Sequence, residues 1–197
     1  MNEQLQSDFD KVIKTSKFSN EEIQLKKNFL KKFIKNGFPN RKQEDWKFLD
    51  ISQIIKKNIS DLSYFIDYSQ SNKIDLSTFV DGLEHNKIIF LNGRIEKIDF
   101  NHEDKSKIEI SDETKKDISF NYENSLIDLN SAFTDKVFKI LVKKDYSLKK
   151  PLIIYHSTND SIKSTNINLR LDFELGENSC LKLIDYFANN TTKNFIN

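Results

Sequence analysis

Glycine, proline, cysteine and arginine are all scarce in this chain, and each shortage removes a class of function. There are 4 glycines in 197 residues, so phosphate-cradling loops have little material. No P-loop, dinucleotide-binding glycine pattern or nucleophile elbow occurs. The single cysteine, Cys180, rules out an intramolecular disulfide and points to a reducing compartment, with the cytoplasm as the expected location. Of the 31 basic residues only Arg41, Arg94 and Arg170 are arginines, whereas a reader of nucleic acid is expected to use more of that side chain. The net charge of +1 supplies no field for recruiting nucleic acid or a membrane, so neither is expected as a partner. No apolar run approaches the ~20 residues of a membrane span. The stretch from Met1 to Asp10 is polar and carries acids, unlike a signal or transit peptide.

What the chain does have is phenylalanine, 16 copies, and charge, at 31% of residues against 37% apolar. That balance fits a folded chain with an aromatic core. Residues 1–18 read as a leading helix with Phe9, Val12 and Ile13 on one face. Ser19-Asn20-Glu21-Glu22 has the form of a capping box. Ile23, Phe29, Leu30, Phe33 and Ile34 follow at helical spacing, and Gly37 and Pro39 stop the helix, Gly37 as a left-handed cap. Trp46 to Leu62 reads as a short extended piece and then a helical turn. Tyr64, Phe65 and Tyr68 lead into a polar loop, and Leu76, Phe79 and Val80 form a small apolar group.

The later chain reads as strands. Lys87 to Leu91, Asn92-Gly93 and Ile95 to Phe100 make a hairpin signal. Residues 101–121 are charged and read as a loop with one short strand at Ile108–Ile110. Ser125 to Phe133 reads as a short helix or turn. Period-two alternation then marks strands at Val137–Val142, Leu152–His156, Asn166–Leu175 and Cys180–Phe187, with Thr192–Ile196 as the opening of another. The expected division is a helical region over 1–85 and a β-rich region over 86–197. Such strands without intervening helices fit a sandwich, a jelly roll or a solenoid.

The run Gly37-Phe38-Pro39-Asn40-Arg41-Lys42-Gln43-Glu44-Asp45-Trp46-Lys47-Phe48 resembles the G-L-P-x-R-x-x-E-x-W-K-(Y/F) signature near the start of SufD proteins. Three more stretches match that family in order: Ile88 to Arg94, Leu129 to Phe133, and Lys150 to His156. Arg170, Gly176 to Asn178 and Leu183 to Asp185 fit the next strand pair. On this resemblance the chain is identified as a member of the SufB/SufD family of the SUF iron–sulfur cluster assembly system. The resemblance implies a non-enzymatic scaffold subunit that works with SufB and the SufC ATPase. It implies a mainly β fold with an N-terminal helical region and the first turns of a right-handed parallel β-helix. Because the family is about twice this long, it also implies a chain cut short of its partner contacts. The cluster would belong to the complex, with no cofactor, metal or catalytic residue assigned to this segment. Two other readings stay open: a β-solenoid enzyme acting on polysaccharide, and a generic β-rich interaction domain.

Individual residues add little chemistry. Cys180 lacks neighbours at ligand spacing and reads as a structural thiol rather than a sulfur acceptor. His85, His102 and His156 read as ordinary surface histidines. Glu44 and Asp45 are adjacent, which does not aim two carboxylates at one substrate. Trp46 reads as a packing residue, with a partner contact as the sharper option. The carbohydrate reading requires carboxylates along one strand face, where Asp172 and Glu174 stand.

Overall fold

In the computed structural model, the described residues are 2–59, 61–68, 80–113, 124–159, 162–189 and 195–196. Leu76, Phe79 and the loop expected from Ser69 lie outside them.

The first helix, α1 (Asn2–Thr15), buries Leu5, Phe9 and Val12, while Ile13 is only partly covered. Ser19 begins the second helix, α2 (Asn20–Asn36), with the capping box its sequence announces. The Glu22 amide donates to Ser19 Oγ at 3.3 Å and the Ser19 amide donates to Glu22 Oε2 at 2.6 Å. Phe29, Leu30 and Phe33 form its buried stripe, and Ile34 faces solvent. Gly37 ends α2 by donating its amide to Phe33 O at 2.7 Å. Its φ of 69° with ψ of −170° is an extended turn-out, not the left-handed cap expected from sequence. Phe38 then packs edge-on against Phe33, with centroids 5.1 Å apart.

A single 3-10 turn at Glu44–Trp46 and the short helix α3 (Ile51–Asn58) follow. Asp50 caps α3 by accepting from the Gln53 amide at 3.0 Å. A fourth helix, α4 (Ser125–Phe133), comes much later in the chain yet packs on α1 and α2. Leu129, Ala132 and Phe133 share one core with Leu5, Phe9, Phe29, Leu30 and Phe33.

The strands are β1 (Asn86–Leu91), β2 (Arg94–Asp99), β3 (Ile108–Glu113), β4 (Val137–Val142), β5 (Leu152–Thr158), β6 (Thr165–Asn166), β7 (Arg170–Leu175), β8 (Leu183–Asn189) and β9 (Phe195–Ile196). They form three small sheets in the orders β2-β1-β5-β8, β3-β4-β7 and β6-β9. β1 and β2 make the expected antiparallel hairpin, and β3 pairs antiparallel with β4. The remaining ladders are parallel: β1 with β5, β5 with β8, β4 with β7 and β6 with β9. One apolar layer joins the two larger sheets. Ile88, Phe90, Leu152 and Ile154 meet Ile108, Phe138 and Ile140 there. The other face of β1 and β5 carries Ile89, Ile153 and Tyr155.

Three expectations need correction. A mainly β chain opening a parallel β-helix is not what forms: the chain is mixed α/β, with 33% of the described residues helical and 29% in strands, in small sheets with no solenoid or closed barrel shown among those residues. Alternation identifies strands but carries no information on how they pair, and the apolar stripes of α1, α2 and α4 claim a core of their own. The strand expected over Asn166–Leu175 is split, because the chain leaves one sheet after β6 and joins another at β7. The strand expected at Ile108–Ile110 extends to Glu113 and pairs with β4.

Two turns depend on glycine. Asn92 and Gly93 close the hairpin at φ 51° and 84°, and a Cβ on Gly93 would sit 2.8 Å from Ile167 Cγ2. At Gly176, which donates to Val142 O at 2.9 Å, a Cβ would lie 2.4 Å from the Lys144 backbone nitrogen. Backbone cannot step aside as a side chain can, so Gly176→Ala is expected to lower stability by roughly 1–3 kcal/mol. A urea titration checks this; a midpoint equal to the parent's would contradict the close approach.

Candidate functional site

The residues flagged by sequence are dispersed. Cys180 is exposed, and its backbone forms a parallel bridge to Ser147. Its amide donates to Tyr146 O at 3.1 Å, and the Leu148 amide donates to Cys180 O at 3.0 Å. His102 is exposed.

His85 is buried rather than on the surface. Its Nδ1 lies 2.6 Å from Leu83 O, which can only accept, so Nδ1 carries the proton. Nε2 then accepts from the Tyr155 hydroxyl at 2.8 Å. Burial, first of all, raises the Tyr155 phenol above its ordinary value. His156 stands on the opposite face of β5, stacked between Phe90 (5.7 Å) and Phe187 (4.6 Å). Its Nε2 donates to Asp185 Oδ1 at 2.6 Å. A carboxylate and two phenyl rings make a stacking clamp between β1, β5 and β8, not a nucleophile beside its base.

Asp172 is held by Arg170 at 3.0 Å and Glu174 by Lys139 at 2.6 Å. These strand-face carboxylates sit in ion pairs, unlike the facing pair that glycoside hydrolysis uses. Among the described residues no group of three or more His, Cys, Asp or Glu side chains is arranged to hold a metal ion.

Sequence reasoning missed the buried charges, which do the joining. Glu103 lies in the stretch read as a solvated loop. It accepts from Asn86 Nδ2 at 2.8 Å, the Tyr146 hydroxyl at 2.7 Å, and the amides of Lys149 (3.1 Å) and Lys150 (3.0 Å). Burial opposes its ionisation, yet these donors together hold its carboxyl below the ordinary 4.5. Asp8, on α1, accepts from the Tyr64 amide at 2.8 Å, Ser63 Oγ at 3.2 Å, Gln4 Nε2 at 2.9 Å and Lys11 Nζ at 2.8 Å. Here too burial works against the charge, and Lys11 with the Tyr64 amide outweighs it. Lys26, on α2, donates to Ser131 O at 3.1 Å and to Thr134 O, and lies over the Phe18 ring at 4.6 Å. It caps the C-terminal carbonyls of α4, and burial pushes it down to about 8.

Two of the concavities among the described residues adjoin these side chains or the Gly37–Phe48 stretch. A cleft of about 250 Å³ runs between α1, residues 64–68 and the start of β2. Arg94 crosses it, paired with Asp135 and set 4.2 Å over the Tyr68 ring, whose hydroxyl is pushed up to about 12, chiefly by burial. A groove of about 270 Å³ beside α3 is lined by Arg41, Phe48, Leu49, Ile54 and Lys57. Trp46, read from sequence as a packing residue, is half-buried and belongs to none of the three apolar clusters. Phe48 next to it is 87% exposed.

The arrangement defines a mixed α/β protein whose polar side chains tie its own elements together, with exposed apolar side chains at the Phe48 loop and on β8 among other places. No protein-family model matches the chain, and no curated protein matches it. No helix among the described residues is long and apolar enough to cross a membrane.

Two titrations check the buried charges. Glu103→Gln puts an amide donor against the donors of Tyr146 and Lys149, and is expected to cost about 1.5–3 kcal/mol near neutral pH. A carboxyl held below its unfolded value contributes stability above that value and loses it as pH falls through the native one. The parent should therefore lose stability below pH 4.5 more steeply than Glu103→Gln; equal slopes would contradict the clasp. Lys26 behaves as a depressed base. Its native form sheds a proton near 8 while the unfolded chain keeps it to 10.5, so stability rises across that window. Lys26→Met should remove the rise, read as denaturant midpoints at successive pH values.

Proposed function

We propose that this chain is a SufD-like scaffold subunit of iron–sulfur cluster assembly, binding SufB-like and SufC-like subunits and carrying out no chemistry of its own. The observation that carries the reading is how the four matched stretches pack. The Ile88–Arg94 and Lys150–His156 stretches are neighbouring parallel strands, with Ile88 opposite Ile154. The Leu129–Phe133 stretch packs on α2, the helix that the Gly37–Phe48 signature terminates. Stretches that resemble the family in sequence order thus also lie beside one another in space.

A scaffold works by presenting surfaces, and the outer strand β8 presents Leu183, Ile184 and Phe187 to solvent. A strand at the edge of its sheet among the described residues, as β8 is, offers backbone groups and apolar side chains to another chain. The nucleotide used by the assembly would be bound by the SufC-like ATPase, and the cluster would be held at the level of the complex.

The resemblance puts most partner contacts beyond the matched region, so the test uses the gene's whole reading frame. Co-expression with SufB-like and SufC-like subunits, followed by affinity and size-exclusion chromatography, should give a complex of all three. Elution apart from both would overturn the assignment and leave an interaction domain outside the SUF system, the reading that the exposed Phe48 loop favours.

A further inference from the structure

The loop between α2 and α3 carries more exposed apolar surface than its own packing needs. Phe48 is 87% exposed, Leu49 42% and Ile54 45%. Single exposed hydrophobes are ordinary on protein surfaces, but these three line one groove of about 270 Å³. The groove is held in shape from beneath. The Trp46 amide donates to Gln43 O at 2.9 Å, and the Leu49 amide donates to Trp46 O at 2.8 Å. Lys47 lies 5.2 Å over the Phe48 ring while paired with Glu44 at 2.9 Å.

Charge selects the occupant. Arg41 and Lys57 line the groove, and the only acid lining it, Asp50, is committed to the Gln53 amide as the cap of α3. Lys56 adds a further cation in the last turn of that helix. Asp50 keeps its charge as it accepts from Gln53, so the lining holds two cations against one acid.

We propose that this groove docks an acidic amphipathic helix of another protein, with apolar anchors on Phe48, Leu49 and Ile54 and carboxylates toward Arg41 and Lys57. Helix-in-groove recognition uses this division, anchors at helical spacing supplying affinity and flanking charge supplying selection. The inference stands apart from the assembly reading, because it needs no particular partner complex.

The only tryptophan of the chain, Trp46, adjoins the groove and serves as the reporter. The probe is a synthetic helical peptide of about 14 residues with a leucine face, glutamate flanks and no tryptophan. It is compared with the same peptide carrying lysine flanks and with a scrambled acidic one. The glutamate peptide should shift Trp46 emission saturably and weaken as salt is added. The other two peptides should bind at least about tenfold more weakly. Phe48→Ser, at a solvent-facing position that leaves folding intact, should weaken the glutamate peptide by about tenfold or more. The pair Arg41→Glu with Lys57→Glu should reverse the preference toward lysine flanks. Equal binding of all three peptides, or binding indifferent to Phe48→Ser, overturns the proposal. Phe48-dependent binding to vesicles of phosphatidylglycerol in preference to the peptide overturns it in favour of a membrane surface. Phe48-dependent self-association in sedimentation overturns it in favour of a second copy.

Discussion

A single carboxylate, Glu103, ties together three parts of the chain that also share a parallel ladder and an apolar layer. It receives a donor from the first residue of β1, a phenol from the turn after β4, and two consecutive amides just before β5. The Tyr146 hydroxyl that donates to it also accepts from the Asp104 amide at 2.9 Å, so the network closes on itself. Parallel strands cannot be joined by a tight turn, and their connections wander before returning. Something must set where β5 begins relative to β1. Asn86 does this in part, donating its backbone amide to Pro151 O at 2.9 Å and its side chain to Lys150 O at 3.1 Å. Glu103 holds that asparagine and those two lysine amides in one place, and the register Asn86 opposite Leu152 follows.

The helices are attached by the same logic. Asp8 fixes α1 to the Ser63–Tyr64 stretch, and Ser63 in turn bridges Thr165 of β6. Lys26 fixes α2 to the end of α4. Burying a charge is costly unless it is fully hydrogen-bonded, and an apolar contact does not distinguish one register from its neighbour. Each of these three charges is met by several donors or acceptors from distant sequence, so each rewards one arrangement. Apolar burial supplies the driving force, and the buried charges select among its possible packings. The surface left over is uneven: the buried charges are matched internally, whereas the Phe48 loop and the outer face of β8 remain open.

Local patterns were legible in the sequence wherever one residue type performs one task nearby. The Ser19–Glu22 capping box, the Asn92-Gly93 hairpin and the alternating stripe of Val137–Val142 all form as their spacing announces. Pairing was not legible, since alternation is the same for parallel and antiparallel neighbours. The break at residues 167–169 was hidden because the apolar alternation runs through it unchanged. Glu103 was hidden because an acid among Asn101, His102, Asp104 and Lys105 looks solvated; its partners stand at positions 86, 146, 149 and 150. The exposure of Phe48 and the partial exposure of Trp46 beside it were hidden for the opposite reason. Large rings are normally covered, and only the three-dimensional arrangement shows these two at an edge.

A buried, ionised carboxylate at position 103 organises the sheets. Side-chain carboxyl carbon chemical shifts followed by NMR from pH 7 downward test it most directly. Glu103 should titrate below the 4.5 of an ordinary glutamate, and the Lys149 and Lys150 amide protons should shift with the same midpoint. A Glu103 resonance titrating at or above that value, with those two amides unmoved, would contradict the account.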